Sequence, residues 1–292
     1  MSEYKCNLVL AGFPKSGTSS LHRYLDLHPH IVMSIPKEPH FFSVENVWKK
    51  GSAFHNSLFK PTKEKFADYY GESSTTYCIS EIAMQRISKK LVAPKIILVM
   101  RNPVERVVSH YRWMSALALE KDSFLDAIKN NGIAFNPNMS IEGNYKSYLQ
   151  FSAYSKYVPK WQKMFGENNV LVLFTDELAK NQNVILARCF EFLNLMPIGP
   201  ITEIQDNRTE NSSRLEPRHF AKVAKYYLPK SISSALKKLL PTPSILKFVA
   251  NFEVSSEPLT VCSSDIAKLS EIMKEEIIYF NQLRERYSLL KL

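Results

Sequence analysis

Glycine and cysteine are scarce in this chain, and long apolar runs are missing altogether. Only 8 of its 292 residues are glycine, and no internal repeat or low-complexity tract is present, which excludes collagen-like, fibrous and disordered compositions. The four cysteines, Cys6, Cys78, Cys189 and Cys262, stand far apart with no C-x-x-C pair. Such spacing indicates neither a zinc site nor a dense disulfide framework, and the expectation is buried, reduced thiols. No stretch approaches the roughly 18 consecutive apolar residues that cross a bilayer. The first residues, MSEYKCNLVLAGF, reach Pro14 and Lys15 without a small-residue cleavage site. A soluble, cytoplasmic protein with no transmembrane segment is expected.

Acidic residues are also outnumbered: 28 Asp and Glu stand against 38 Lys and Arg, a formal net charge of +10. That excess suits a polyanionic partner such as a glycan, an anionic lipid, a nucleic acid or a phosphate-rich nucleotide. The basic residues are spread along the chain with no run of five or more, whereas nucleic-acid-binding arms concentrate them, so no nucleic acid is expected. A hydrophobic content of 45% is enough for one sizeable core. The expected organisation is a single domain over 1–292, with a core at about 5–195 and a helical and loop extension at about 196–292.

Within the core, short apolar runs alternate with helical periodicity. Cys6 to Phe13 is continuously apolar and reads as a strand buried on both faces. Pro14 and Gly17 break it, and a helix is expected from Thr18 to Leu27, ended by His28-Pro29. A helix at Ile79–Leu91 then feeds a strand at Lys95–Met100, and Asn102-Pro103 opens a helix to about Ala118. A third buried strand is expected at Val170–Phe174, followed by a helix from about Asp176 to Leu195. Alternation of this kind implies an α/β fold, a P-loop-like three-layer arrangement with a central parallel sheet flanked by helices. From Ile198 to about Arg214 the chain reads as a loop, and beyond it as helices, forming a helical C-terminal extension.

Gly12-Phe-Pro-Lys-Ser-Gly-Thr-Ser-Ser20 falls where a strand turns into a helix. Free backbone N–H groups and the helix dipole favour an anion there. A kinase or ATPase loop would read G-x-x-x-x-G-K-[ST], but here Thr18 stands where that Lys would be and Lys15 lies inside the loop. An NTPase would also carry an acidic metal-binding residue after a neighbouring strand; the strand ending at Met100 delivers Arg101 instead. Phosphates are therefore expected to be held by Lys, Arg and hydroxyls, with no metal. His22, His28, His30, His55, His110 and His219 show no metal-ligand spacing.

These residues resemble the PAPS (3′-phosphoadenosine-5′-phosphosulfate)-dependent sulfotransferase family. Pro14-Lys-Ser-Gly-Thr-Ser19 matches its 5′-phosphosulfate loop, and Arg101-Asn-Pro-Val-Glu-Arg-Val-Val-Ser109-His-Tyr111 matches its R-[DN]-P-x-x-R-x-x-S-x-[YF] 3′-phosphate segment. The resemblance implies that Lys15, Ser16, Gly17, Thr18 and Ser19 cradle the phosphosulfate and that Arg101 and Ser109 grip the 3′-phosphate. Lys37-Glu-Pro-His-Phe-Phe42 and Glu72-Ser-Ser-Thr-Thr-Tyr77 resemble the E-x-H-F-F and E-K-[ST]-P-x-Y segments of the heparan sulfate sulfotransferase branch and its soluble bacterial relatives. That likeness implies Glu38 as general base, His40 beside it, and Glu72 and Tyr77 near the acceptor. Ser212, Ser213 and Arg214 stand as substitutes for the family's nucleotide-closing loop, whose basic-residue–glycine pair is absent.

The implied reaction moves a sulfuryl group from PAPS to a hydroxyl, less readily an amine, of a carbohydrate, secondary-metabolite or other small-molecule acceptor, and releases PAP. Lys15 would stabilise the leaving phosphate and Glu38, with His40 second, would take the acceptor proton. If the stretch is extended, Glu38 and His40 share one face. Taken alone, Glu38 also reads as a surface acid, His40 as a core histidine and Ser109 as a solvated helix serine. The rival classes are a P-loop kinase or NTPase, opposed by Thr18 and Arg101, and a non-catalytic nucleotide-binding module, opposed by Lys15 and Glu38. A homo-oligomer is compatible with either outcome.

Overall fold

The computed structural model describes residues 3–62, 65–117, 119–129, 134–199 and 261–289. Its centre is a parallel sheet of five strands among the described residues: β1 (Leu8–Leu10), β2 (Ile31–Met33), β3 (Tyr69–Ser73), β4 (Lys95–Met100) and β5 (Val170–Phe174), in the order β2-β3-β1-β4-β5. The strands alternate their side chains between two apolar layers. Leu8, Leu10, Ile97, Val99, Leu171 and Leu173 face one layer, whereas Val9, Ile96, Leu98, Met100, Val170, Val172 and Phe174 face the other. Burial on both faces explains why β4 and β5 are unbroken apolar runs, found where the sequence predicts them.

Helix α1 (Thr18–Asp26) covers the first layer with Leu21, Tyr24 and Leu25. The opposite layer is covered by α4 (Glu81–Lys90), α5 (Pro103–Ala116) and α8 (Tyr154–Phe165). Between these lie α2 (Glu45–Trp48), α3 (Gly51–Asn56), α6 (Phe124–Lys129) and α7 (Ile141–Tyr145). Because α1 follows β1 on one face and α5 follows β4 on the other, a crevice opens at the carboxyl ends of β1 and β4. That is where parallel α/β sheets bind ligands.

Several expected boundaries shift. Helix α4 starts at Glu81 rather than Ile79, because Ser80 caps it by accepting from Ala83 N–H, and a 3-10 turn occupies Thr75–Ile79. The expected helix to Leu195 is two helices, α9 (Thr175–Lys180) and α10 (Gln182–Phe192), broken at Asn181. Strands β2 and β3 are not expected from the sequence. The first spans three residues, and the second, Tyr-Tyr-Gly-Glu-Ser, lacks the apolar signature because it delivers polar side chains inward. Cys6, Cys78 and Cys189 are buried and free, but Cys262 is exposed, against the expectation for all four.

The C-terminal helices α11 (Ser263–Ile272) and α12 (Lys274–Tyr287) pack Leu269, Met273, Phe280 and Leu283 into the same apolar layer as α5 and α8. Ser212, Ser213 and Arg214, with most of the expected loop, lie outside the described residues. No helix among the described residues is long and apolar enough to cross a membrane.

Pairing between β1 and β4 continues past Leu10: Ala11 N–H and Phe13 N–H still donate to the Ile97 and Val99 carbonyls, at 3.0 and 2.9 Å. This extension carries the chain to the crevice, and it needs glycine at position 12. A Cβ there would stand 3.1 Å from Val99 N and 3.2 Å from Leu98 Cα, both backbone atoms of β4. Gly12→Ala is therefore expected to destabilise the protein by about 1–3 kcal/mol through overpacking. The check is the urea midpoint, which should fall with an unchanged slope; an unmoved midpoint would show that β4 yields freely.

Candidate active site

The loop after β1 ends on Gly17, which is left-handed at φ 84 and supplies no side chain to cap α1. The first-turn N–H groups of α1 thus lack the usual cap and face the crevice. Ser16 Oγ is buried and has no hydrogen-bond partner. An unpaired buried hydroxyl beside an uncapped helix start fits an anionic phosphate or phosphosulfate oxygen. Thr175 Oγ1 donates toward both Ser16 O and Met100 O, each at 2.9 Å, and so ties the loop to the end of β4.

Lys15 sits in the loop with φ 67 and its ammonium over the Trp113 ring of α5, 5.5 Å from the ring centroid. Burial pushes its pKa down to about 8, and the like charges of Arg101 and Lys37 push the same way. Arg101 leaves β4 beside it and pairs with Glu105, Nε to Oε2 at 3.0 Å. Ser109 is half-buried two turns along α5, which Asn102 caps by accepting from Val104 and Glu105 N–H. Thr18 is buried and Ser19 exposed at the start of α1.

Glu38 and His40 approach from the loop after β2. The expected extended stretch is not formed: Glu38 has φ 60 and His40 φ 53, so the chain coils on itself. The coil still joins the two side chains, with His40 Nε2 3.7 Å from Glu38 Oε2. Glu38 Oε2 accepts from Thr75 N–H at 2.8 Å and Thr75 Oγ1 at 3.2 Å, while Oε1 receives the Lys37 ammonium at 2.5 Å. Burial pushes the Glu38 carboxyl up, but Lys37, His40 and the Thr75 N–H outweigh it and hold it below the usual range. His40 Nδ1 contacts Thr76 Oγ1 at 2.9 Å and its backbone N–H donates to Ser74 Oγ. Burial holds its imidazole below its ordinary pKa although Glu38 and Glu72 pull it up.

Glu72 and Tyr77 lie beneath the Glu38–Phe42 segment. Both are fully buried. Tyr77 OH donates to Glu72 Oε2 at 2.9 Å and accepts from Phe42 N–H, and Ser74 Oγ reaches the same carboxylate oxygen at 3.4 Å. Since Ser74 and Tyr77 also hold the backbone of His40 and Phe42, Glu72 anchors the Glu38–Phe42 segment from below. Exposure separates the two acids: the Glu38 side chain is 25% exposed and that of Glu72 is 0%. Only Glu38 can meet an acceptor without rearrangement.

Linear spacing also concealed one cluster. Cys6, His55 and Glu72 bring a thiol, an imidazole and a carboxylate within 4.8 Å of one another. The carboxylate is engaged by His55 Nε2 and Tyr77 OH and the thiol donates to Leu8 O, so these groups serve as core hydrogen-bond partners. Phe41 and Phe42 are core residues, and His110 is buried behind Lys15. Lys37, Thr75, Thr76 and Trp113 received no role from the sequence. Thr75 and Thr76 lie inside the Glu72–Tyr77 motif, but their partners are more than 30 residues away.

An uncapped helix start, clustered cations and a positioned carboxylate thus meet at the carboxyl edge of a parallel sheet, where such sheets bind ligands. A model of the sulfotransferase domain family matches residues 5–240, and the chain belongs to that family. It is 27% identical over 187 residues to human heparan sulfate glucosamine 3-O-sulfotransferase 6, covering 64% of this chain and 52% of that protein. To human bifunctional heparan sulfate N-deacetylase/N-sulfotransferase 2 it is 26% identical over 198 residues, 65% of this chain and 22% of that protein. The chain thus spans about half the length of the first relative and about a fifth of the second. A sulfotransferase from Alicyclobacillus acidocaldarius shares the fold, with TM-score 0.56 and 24% identity over 83% of this chain and 98% of that one.

Lys15 makes anion binding sensitive to pH. Its free-state pKa is about 8, and a bound phosphate raises it, so binding above that pH requires proton uptake. The association constant for PAP is expected to be flat from about pH 7 to 8 and then to fall by up to roughly tenfold per pH unit. Calorimetry on wild type and Lys15→Met checks this. The variant should bind more weakly and lose the slope, and a slope that persists would assign the proton to another group.

Proposed function

We propose that this protein transfers a sulfuryl group from PAPS to a hydroxyl of a carbohydrate or small-molecule acceptor, releasing PAP, without a metal. The observation that carries this reading is the convergence of Lys15 and Arg101 on an uncapped phosphate loop, with the Glu38 carboxylate and its partner Lys37 at the edge. Burial holds the Lys15 ammonium down to about 8 and the like charge of Arg101 adds to it, and a bound polyanion would offset both. Sequence resemblance assigns Lys15 to Ser19 to the phosphosulfate, and Arg101 and Ser109 to the 3′-phosphate. The kinase reading is disfavoured by Thr18 and Arg101, which replace its lysine and its metal-binding acid.

PAPS supplies an activated S–O bond. The acceptor oxygen bonds to sulfur while the bond from sulfur to the 5′-phosphate oxygen breaks, and the electron pair stays with that phosphate. Glu38 takes the acceptor proton, which suits a hydroxyl better than an amine because an alcohol is a weak nucleophile until deprotonated. Lys15 faces the phosphate oxygen on which charge grows. His40, held neutral by burial, orients Glu38 from 3.7 Å. A carbohydrate acceptor is supported by the two heparan sulfate relatives, whose names specify O- and N-sulfotransfer. A single domain and a cytoplasmic location belong to the same reading, supported by the shared apolar layer of α11 and α12 and by four free cysteines.

PAP is expected to raise the melting temperature with chelator present, and ATP and GTP to do so far less, because a ligand of the folded state stabilises by mass action. A requirement for magnesium would sink the proposal. Arg101→Ala should weaken PAP much more than adenosine 5′-phosphosulfate, which lacks the 3′-phosphate. Glu38→Gln should keep PAP affinity within a few-fold yet lower turnover about a hundredfold or more, the usual worth of a positioned base. Near-normal turnover in Glu38→Gln, with activity lost in His40→Ala, would move the base to His40.

A further inference from the structure

The chain departs from the E-K-[ST]-P-x-Y pattern at positions 73 and 75, where Ser73 stands in place of its lysine and Thr75 in place of its proline. Ser73 ends β3, and its Oγ lies 2.7 Å from Nδ1 of His22 on α1, one turn beyond the phosphate loop. A second chain segment delivers a cation to this same corner. The Lys37 side chain is 21% exposed, with its ammonium 2.5 Å from Glu38 Oε1. Its positive charge acts on Lys15, on His22, on Glu38 and on His40. Those four groups come from the phosphate loop, α1 and the base-carrying loop, so Lys37 lies among all three.

We propose that Lys37 is a second cation of the sulfuryl-transfer centre, binding the transferred group between Lys15 and Glu38 and filling the place of the lysine missing at position 73. This rests on the sulfotransferase reading. Negative charge in such a transfer spreads over the equatorial oxygens of the moving group as well as the leaving oxygen. Lys15 serves the leaving side, and Lys37 serves the side from which the acceptor attacks. Before reaction its charge is shared with the Glu38 carboxylate. As the acceptor oxygen bonds to sulfur and its proton passes to Glu38, that carboxylate is neutralised and the full charge of Lys37 falls on the sulfuryl oxygens. The interaction strengthens toward the transition state, which is the condition for it to raise turnover.

The decisive comparison uses the full-length protein with PAP and PAPS, which differ only in the sulfuryl group. Lys37→Met should leave PAP affinity within about twofold and reduce the PAPS-to-PAP affinity ratio by about tenfold, the scale of one charge-assisted hydrogen bond. Unchanged PAP affinity also reports an intact fold. Turnover should fall further than PAPS affinity, and its acid limb should move to higher pH as Glu38 loses its neighbour. The other titratable or charged groups facing this corner are Lys15 and His22, His40 on the same loop, Glu72 on β3, and Glu142 and Tyr145 on α7. Adding Ser73→Lys to Lys37→Met should restore most of the lost ratio. An unchanged ratio in Lys37→Met, an equal loss for PAP and PAPS, or no recovery in the double variant each overturns the role of Lys37. A wild type that binds neither nucleotide overturns the sulfotransferase reading instead.

Discussion

The structure is organised around like charges held together. Burial above all, with the like charges of Arg101 and Lys37 pushing the same way, holds Lys15 at about 8. Free side chains would swing apart into water, so the backbone must oppose the repulsion. It does so by tying the phosphate loop on both sides. Hydrogen bonds from Ala11 and Phe13 stitch its start to β4, and Thr175 bridges Ser16 to Met100. Five non-glycine residues among those described have positive φ, and three of them are Lys15, Glu38 and His40. Left-handed backbone costs about 1–3 kcal/mol per residue and persists only where its surroundings over-determine it. Its concentration in the three candidate catalytic residues follows from the need to aim short loops at one point.

Two carboxylates next to this charge have been given opposite tasks by burial and partners. Glu38 keeps a quarter of its side chain exposed and a depressed pKa, so it is ionised and accessible at neutral pH. Glu72 is sealed under Tyr77, His55 and Ser74 and holds the backbone of the segment on which Glu38 is carried. The same residue type is thus solvent-accessible at one position and a sealed part of the framework at the other. The depth of Glu72 was not legible in the sequence, because a motif records residue identity and leaves burial unspecified.

The legible part of the fold was the part that is apolar on both faces. Strands β4 and β5 and the starts of α1 and α5 follow from continuous hydrophobic runs, Gly17 and the Asn102-Pro103 cap. Strand β3 was hidden because Gly71, Glu72 and Ser73 are polar or small yet buried, a choice made for hydrogen bonding rather than for packing. Helix α8 was obscured by Pro159, which it tolerates internally. Within the site, Lys15, Arg101 and Glu38 could be picked out from local motifs. Thr75, Thr76 and Trp113 could not, since their contacts join segments distant in sequence and depend on loop torsions that no periodicity encodes.

His40 completes the electrostatic arrangement by remaining neutral. It lies near two acids, Glu38 and Glu72, that would favour its charged form, and burial overrides both. Across their 3.7 Å separation the two groups favour each other's charged forms, and His40 is among the influences that hold the Glu38 carboxyl down. Thr76 occupies Nδ1 and Ser74 holds the main chain, so the ring is oriented without needing a charge. The charges thus run from Lys15 and Arg101 at the ends of β1 and β4, with Arg101 paired to Glu105, to the Lys37–Glu38 pair on the loop after β2.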